Sequence, residues 1–356
     1  MSLRFHWRLP LAGEEPGGMA APPPGTPASA LPDLPAHVRF CRLAESCGID
    51  SLLMACGYYM PDPIPLVAAL GTATTTIRFM LAYRSGLLLP TVFAQQVNTL
   101  AALNGGRLSL NMVIGHSVEE QRCYGDFLTH DERYHRADEF LAICRALWRR
   151  DGDVDFAGRY FRVEKARLGT PFLAAGRTAP EIYLGGGSPL AREVALKHAD
   201  CWLRLGDSPE NLRAEVEAVR RQGIDAGIRL SLVARPTREE AVAAAHALVE
   251  RGDREWVREV FVRSSDSASM RSTFGLGEEE GSHWRTPWLW TGAVASRGAS
   301  AVCLVGTPDD IAGAVLEYAR VGLRQFIFSG WPNSEALSYF GNEILPRIRL
   351  REQAAA

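Results

Sequence analysis

The 356-residue sequence lacks several features that mark common classes of protein. It has no apolar run long enough for a transmembrane helix, and no apolar N-terminal segment of the kind that directs secretion. Its seven cysteines are scattered and include no Cys-X-X-Cys pair, the spacing expected of a zinc site or a redox motif. We therefore expect a cytoplasmic protein with reduced cysteines and no membrane partner.

An excess of charge of one sign is also missing. The chain has 39 basic and 41 acidic residues, a formal net charge of −2. A nearly neutral chain is a poor match for nucleic acid or for an anionic membrane surface. Hydrophobic residues make up 47% of the sequence, which is ample for a large core. We expect a globular protein whose substrate is a small molecule.

Predicted strands and helices alternate along the chain eight or nine times, at intervals of roughly 30–40 residues. Such alternation favours a parallel sheet with crossover helices, and eight units in one chain favour a closed (β/α)8 TIM barrel over an open sheet. We expect one α/β domain over residues 1–356. The predicted strands begin near residues 3, 49, 76, 107, 181, 200, 228 and 324, with a further one at 301–305.

Three segments interrupt the alternation, and all fall where a barrel tolerates insertions: after strand 1, before strand 5 and after strand 7. Residues 10–35 hold eight of the 21 prolines, which indicates a linker or, slightly favoured, a loop over an active site. Residues 153–163 look like a hairpin. Residues 251–287 are polar and irregular, a candidate mobile lid, and a helix is predicted at 289–296.

In a barrel the reactive groups gather where strands end. The predicted strand ends are rich in aromatic residues and arginines but poor in carboxylates, which disfavours a paired-carboxylate hydrolase, a metal site or a serine triad. The pattern suits an organic cofactor that brings its own reactivity. The residues at these ends are His6 and Trp7, Tyr58 and Tyr59, Tyr83 and Arg84, Asn111 to His116, Gly185 to Ser188, Arg204, Arg229 and Ser231, and Ser329 and Trp331.

The stretch 181–188 (EIYLGGGS) is the most informative of these ends. A short apolar strand stops at three glycines and a serine, and Pro189 then begins a helix. Glycines let the backbone approach a ligand closely, and a helix N-terminus favours an anion. The spacing fits neither the dinucleotide fingerprint nor a nucleotide P-loop. A plain strand-to-helix turn and a phosphate-binding turn both remain open.

Several motifs in a fixed order resemble the bacterial luciferase-like flavin-dependent monooxygenases, and most closely the alkanesulfonate monooxygenases. The resemblance covers nearly the whole chain. The motifs are LPTVFAQQVNTL at 89–100, NGGR at 104–107, FLTHDERY at 127–134, YLGGGS at 183–188, LWTG at 289–292, LVGTP at 304–308 and FSGWPNSE at 328–335.

The resemblance implies a TIM barrel and a two-component reaction. Such enzymes take reduced FMN from a separate NAD(P)H-dependent flavin reductase and oxidise an organic substrate with dioxygen, through a flavin peroxide. It also implies a homo-oligomer, either a dimer or a tetramer, as the state of the protein.

The same resemblance assigns roles to individual residues. Gly186, Gly187 and Ser188 are expected to hold the FMN phosphate, with Tyr134 reaching the same group. Ala82, Arg84 and the stretch from Asn111 to Gly115 are expected near the flavin ring. Arg229 and Arg297 match two arginines that face the flavin and the anionic substrate in the sulfonate enzymes, and are the predicted catalytic residues.

The chain departs from the sulfonate enzymes in the expected substrate pocket. Ser231 stands where they have a histidine, Leu205 where they have a tryptophan, and Trp331 where they have a tyrosine. Their cysteine near strand 2 falls at about Tyr59. We predict that these four residues, together with His6 at the end of strand 1, contact the substrate.

These departures favour a larger, flatter and less charged substrate than a short alkanesulfonate, such as an aromatic natural product. Three alternatives remain open: an alkanesulfonate monooxygenase that releases sulfite, a deazaflavin-dependent reductase of the same superfamily, and a flavin-binding relative without catalytic activity.

Overall fold

The computed structural model describes residues 2–11, 31–250, 252–278 and 282–354. Within these residues short buried strands alternate with capped helices. The strands are β1 (Arg4–Arg8), β2 (Ser51–Met54), β3 (Arg78–Tyr83), β4 (Leu108–Met112), β5 (Val154–Ala157), β6 (Arg162–Ala166), β7 (Glu181–Gly185), β8 (Cys201–Leu205), β9 (Asp225–Ala234), β10 (Leu289–Trp290), β11 (Cys303–Gly306) and β12 (Gln325–Gly330).

Side chains at the helix starts explain many of the boundaries. Thr129 and Thr307 form capping boxes, and Ser188 and Ser208 cap helices that begin with proline. The helices are α1 (Leu34–Ser46), α2 (Pro63–Thr72), α3 (Pro90–Leu103), α4 (Val118–Cys123), α5 (His130–Arg149), α6 (Pro189–His198), α7 (Pro209–Arg221), α8 (Arg238–Glu250), α9 (Arg254–Arg258), α10 (Ala268–Glu278), α11 (Val294–Arg297), α12 (Pro308–Arg320), α13 (Asn333–Tyr339) and α14 (Leu345–Ala354).

Eight of the strands close into a parallel barrel, which confirms the predicted TIM barrel. Around the barrel the order is β12, β1, β2, β3, β4, β7, β8 and β9, and β9 pairs back to β12. The helices cover the outside, and the main core lies between them and the sheet. Because all eight strands run the same way, their carboxyl ends form one rim.

Strand β9 is longer than its neighbours and changes partner along its length. Its first half pairs with β8, and from Ser231 onward it pairs with β11. β10 adds antiparallel to β11, so that Leu289 and Trp290 lie in the sheet. The predicted helix at 289–296 is therefore wrong in its first part. Leu289 and Trp290 form a strand because they pair with β11, and the helix α11 begins only at Val294.

The three predicted insertions meet different outcomes. Residues 12–30, most of the proline-rich segment, lie outside the described residues. β5 and β6 form an antiparallel hairpin before β7, close to the predicted bounds. Most of 251–287, which the sequence suggested to be irregular, is helical: α9 continues into a π-helical turn at Glu259–Arg263, and α10 follows. Its predicted mobility stays a prediction.

No described helix is long and apolar enough to cross a membrane. All seven cysteines are free thiols. Five of them, at 41, 47, 144, 201 and 303, are buried as the composition suggested.

The amino-terminal half of the barrel interior holds a buried polar network rather than apolar side chains. Arg4 makes two hydrogen bonds of 2.8 Å to the Glu181 carboxylate and one of 2.7 Å to the Tyr183 hydroxyl. His6 lies beside them, with Nδ1 2.6 Å from Ser51 Oγ and Nε2 2.8 Å from Gln325 Oε1. Gln325 Oε1 can only accept, so His6 donates from Nε2 and accepts at Nδ1 as a neutral ring.

Burial lowers the pKa of His6 from 6.5 to about 4, although the hydrogen bond that His6 donates to Gln325 opposes this. Between these two pH values the unfolded chain binds a proton that the folded chain does not, so stability falls as the pH drops. We expect acidification from neutral pH to about pH 4 to remove about 3 kcal/mol of unfolding free energy through His6. Urea unfolding of the wild type and of His6→Gln across this range measures it, and parallel pH profiles contradict the prediction.

Candidate active site

A cavity opens at the carboxyl rim of the barrel, and its floor is apolar. Leu53, Ala82, Leu203 and Ile327 line the cavity and belong to one buried cluster inside the barrel. Strand alternation explains the set, because every second residue of a barrel strand points inward. The floor separates the cavity from the polar network around His6. The floor therefore presents an apolar surface to any molecule bound in the cavity.

Nine of the fifteen predicted site residues line this cavity. They come from six different strands or the loops that follow them, and from α5. The sequence-based expectation that these positions meet at one end of the barrel is met. The nine are Tyr59, Ala82, Arg84, Asn111, Gly115, Tyr134, Gly186, Leu205 and Arg229.

Gly187 and Ser188 adjoin the cavity without lining it. Ser188 is the N-cap of α6, and its Oγ accepts a hydrogen bond of 3.1 Å from Ala191 N. A Cβ atom on Gly187 would lie 2.2 Å from Arg204 Nη1 and 2.8 Å from Ser269 Oγ, and both of these side chains line the cavity.

Two of the predicted substrate contacts lie behind or below the cavity wall. His6 is fully buried in the network beneath the floor. Ser231 donates to Ser300 O at 2.8 Å and contacts Ser329 Oγ at 3.0 Å, so it supports the wall at Ser300 rather than forming it.

Two further predicted residues point elsewhere. Trp331 follows the end of β12 and lines a separate cleft with Arg235 and Tyr339. Arg297 lies on α11, where its Nε donates to Leu248 O of α8 at 3.0 Å. The motif matches located both residues on the chain, but neither side chain lines the cavity. Neither contact role is supported by these positions.

The turn after β7 is shaped by close contacts. Gly186 has a φ of +146°, and a Cβ there would lie 2.4 Å from Tyr134 Oη and 2.5 Å from Ala191 Cβ. Trp202 Nε1 donates to Gly186 O at 3.1 Å, and Tyr134 Oη donates to Gly185 O at 3.3 Å. These contacts hold the turn open toward the cavity at the start of α6. A helix N-terminus with little side-chain cover is suited to bind a phosphate group.

Arg84 forms a buried ion pair at one side of the cavity. Its Nη2 lies 2.7 Å from Glu120 Oε2, and both side chains are about 95% buried (6% and 5% exposed). Glu120 Oε1 also accepts from Tyr58 N at 3.1 Å. Burial opposes the charge of Arg84, but Glu120 raises its pKa. The pair ties the loop after β3 to α4 and neutralises the single carboxylate among the described residues that line the cavity.

Arg229 gives the cavity a positive charge without a matching acid. Its Nε is buried with no hydrogen-bond partner among the described residues. Burial lowers its pKa to about 9, and the nearby Arg8 guanidinium adds to the effect. A buried guanidinium is stabilised when an anion or hydrogen-bond acceptor reaches it. The side chain is therefore placed to meet an anionic group of a bound molecule.

Several cavity residues carried no assigned role in the sequence analysis. Arg204 and His116 were recognised at strand ends but were not given a function, and His130 lies within a recognised motif. The signal for Arg204 was available, since Arg204 and Leu205 end the same strand. Ser267, Ser269 and Met270 had no local signal, because they belong to the segment that lacked a clear periodicity.

The chemical groups that line the cavity indicate what kind of molecule it can bind. The cavity combines an apolar floor, an open turn at a helix N-terminus, and the guanidinium groups of Arg204 and Arg229. Among the described residues no cluster of three or more acidic, histidine or cysteine side chains is placed to hold a metal ion. These groups fit a flat organic cofactor with a phosphate at one end.

Comparisons with known proteins agree with this geometry. A family model described as luciferase-like monooxygenase matches residues 12–325. A long-chain alkane monooxygenase aligns with a TM-score of 0.77 at 20% identity, over 99% of this chain and 92% of its own. A riboflavin lyase, solved with modified FMN and riboflavin, aligns at 0.76 and 20%, over 99% and 92%. An F420-dependent secondary alcohol dehydrogenase aligns at 0.70 and 16%, over 98% and 100%.

The Arg84–Glu120 pair yields a test of the site's framework. Glu120→Gln leaves a buried guanidinium without its counter-charge, so we expect a loss of about 3–5 kcal/mol of unfolding free energy. Urea unfolding measures the loss. The double variant Arg84→Met with Glu120→Leu removes both charges and should be less destabilised than Glu120→Gln. A loss below about 1 kcal/mol for Glu120→Gln contradicts a tightly coupled pair.

Proposed function

The chain belongs to the luciferase-like monooxygenase family, and we propose that it is the oxygenase of a two-component system. It receives reduced FMN from a separate NAD(P)H-dependent flavin reductase and uses dioxygen to oxidise an organic substrate. One oxygen atom enters the substrate and the other leaves as water, while reduced FMN is oxidised. When bound, reduced FMN supplies the two electrons that this chemistry needs.

The observation that carries the proposal is the open turn at 185–188 beside the apolar, cationic cavity. Backbone N–H groups of Gly187 and Ser188 at the start of α6 suit a phosphate monoester. Ala82 and Asn111 border the space where the ring system would lie. Asn111 Oδ1 is buried without a hydrogen-bond partner among the described residues, and it offers an acceptor to a ring N–H.

Arg229 is the residue of this chain that we assign to the reaction itself. Its guanidinium remains cationic and faces the cavity from β9. In a site with an apolar floor, a fixed cation stabilises developing negative charge more strongly than it does in water. Arg229 therefore stabilises anionic oxygen or an acidic group of the substrate. Arg297 has no part in this proposal because its side chain bonds to α8.

For the substrate we propose an aromatic or polycyclic molecule. Leu205 leaves space on one wall, and Tyr59 and Met60 add flat and adaptable apolar surface on another. Trp331 lies outside the cavity and lines a separate cleft, so it adds no aromatic surface to the space proposed for the substrate. An alkanesulfonate remains the alternative substrate, because Arg229 is suited to a sulfonate group as well.

Gly187→Val tests the phosphate-binding turn. The added side chain collides with the Arg204 guanidinium and the Ser269 hydroxyl, so we expect FMN binding to weaken by about 1–3 kcal/mol, the cost of lost or blocked hydrogen bonds. Tyr134→Phe should weaken it less. Fluorescence titration of FMN measures both. Gly169→Val is the matched control, because nothing lies within 4 Å of a Cβ at that position. An unchanged dissociation constant for Gly187→Val removes the turn from the site.

The reaction is tested by supplying the purified protein with a flavin reductase, NADH, FMN and air. We expect aromatic substrates to increase flavin-dependent oxygen consumption and to gain one oxygen atom, which mass spectrometry with labelled dioxygen detects. A panel of alkanesulfonates is examined in parallel for sulfite. Efficient sulfite release coupled to flavin oxidation overturns the aromatic substrate and supports a sulfonate enzyme, and absence of any oxygenated product from either class contradicts the proposed function.

A further inference from the structure

The segment 264–278, which we call the strap, reaches the cavity from outside the barrel. Its Ser267, Ser269 and Met270 line the cavity wall. Two backbone hydrogen bonds attach its start to the first residue of α4 and to the loop before it: Val118 N to Ser264 O at 2.9 Å, and Asp266 N to His116 O at 3.1 Å. The rest of the strap is helix α10.

An ion pair holds the same end of the strap to α5. Arg133 Nη2 lies 2.8 Å and 2.7 Å from the two oxygens of Asp266, and the Arg133 side chain is 1% exposed. The position of Ser267 and Ser269 over the cavity is therefore fixed from one side by protein contacts. α10 continues from there toward α11, against which it packs.

Arg204 and Ser269 approach the turn after β7 from two different elements. From a Cβ built on Gly187, the distance is 2.2 Å to Arg204 Nη1 and 2.8 Å to Ser269 Oγ. The two polar groups therefore meet beside the turn, in contact with Gly187. Within the described part of the chain, Ser269 Oγ and Arg204 Nε are both buried without a hydrogen-bond partner.

Contacts on its outer side orient the Arg204 guanidinium. Its Nη2 lies 3.3 Å from Glu215 Oε2, and its carbon lies 5.3 Å from the centre of the Trp202 ring. Trp202 in turn donates to Gly186 O. The arginine is thus braced from α7 and β8, while Nη1 is directed at Gly187. Glu215 is one-third exposed and reaches only Nη2, so it does not neutralise the inner side of the guanidinium.

A buried cation and a buried hydroxyl that converge on open backbone N–H groups describe a receptor for a tetrahedral anion. A phosphate monoester has enough acceptor oxygens to bond to the N–H groups of the turn and, at the same time, to the arginine and the serine beside it. A neutral hydroxyl at this point offers Arg204 Nη1 a weaker acceptor than a phosphate oxygen does. The arrangement therefore selects for the charged end of a molecule.

We propose that Arg204 and Ser269, which flank the Gly186–Ser188 turn, bind the FMN phosphate together with the N–H groups of the turn, so that the phosphate fastens the strap over the cavity. This inference rests on the proposed function and adds to it two positions that the family motifs did not assign. Cofactor binding and closure of the cavity then become one event. Water is excluded from the ring end once the phosphate end is held.

Riboflavin is FMN without the phosphate. Comparing the binding of the two molecules therefore isolates the contribution of Arg204 and Ser269 to phosphate binding. We expect Arg204→Gln to weaken FMN binding about 10-fold to 100-fold and Ser269→Ala about 3-fold to 10-fold, the range for lost charged and neutral hydrogen bonds. Riboflavin binding should not change in either variant. Ser272→Ala is the control, since Ser272 is exposed on the same helix and its hydroxyl donates to Ser269 O at 3.1 Å.

Hydrogen exchange of the strap supplies a second readout that is independent of activity. We expect FMN to slow amide exchange across 264–278 in the wild type, and riboflavin to have little effect. In Ser269→Ala the protection by FMN should be reduced while the barrel strands remain protected. Tight FMN binding without protection of the strap overturns the proposal.

The outcomes also distinguish this inference from the proposed function. Wild-type FMN binding that does not depend on Arg204 or Ser269 overturns the clamp and leaves the monooxygenase in place. Equal weakening of FMN and riboflavin in Arg204→Gln assigns Arg204 to the fold and overturns the clamp as well. A protein that binds neither flavin overturns both.

Discussion

Closure of eight parallel strands is the constraint on which the rest of the molecule depends. It brings every carboxyl end to one rim, and it divides each strand into inward and outward residues. The inward residues form two layers of opposite character. Near the amino ends lies the polar network of Arg4, His6 and Glu181, and above it lies the apolar floor of the cavity. His6 in the polar layer is fully buried, while the polar groups of the cavity stand above an apolar surface.

The charges of the site follow from the same arrangement. Glu120 forms an ion pair with Arg84, whereas Arg229 faces the cavity without an acidic partner. Arg204 is held by Glu215 only on its outer side. The cavity therefore combines an apolar floor with two guanidinium groups at separate points, of which Arg204 is paired with an acid and Arg229 is not. One point suits a phosphate and the other suits chemistry or an acidic substrate, which is the division of labour that a bound flavin requires.

Much of the barrel was predictable because its signals are local. Capping serines and threonines, N-terminal prolines and apolar strands fixed most boundaries within a few residues. The prediction at 289–296 failed because β10 exists only through pairing with β11, which local periodicity does not reveal.

In the cavity, Gly186, Tyr134 and Arg229 were found from strand ends and motifs. Arg297 and Trp331 do not line this cavity, and their predicted roles stay predictions, because a motif fixes a position in the chain but not the direction of a side chain. Ser269 was missed because its segment acquires its place through contacts with α5 and the loop after β4.

The proposed monooxygenase activity requires that the cavity accept reduced FMN rather than a reduced deazaflavin. Anaerobic titration of the protein with reduced FMN, oxidised FMN and reduced F420 measures this choice in one experiment. A reductase-fed enzyme has to capture the reduced form, so the account predicts that reduced FMN binds more tightly than oxidised FMN, and that reduced F420 binds weakly. Tight binding of reduced F420 together with no measurable binding of FMN would contradict it and assign the cavity to a deazaflavin-dependent reductase.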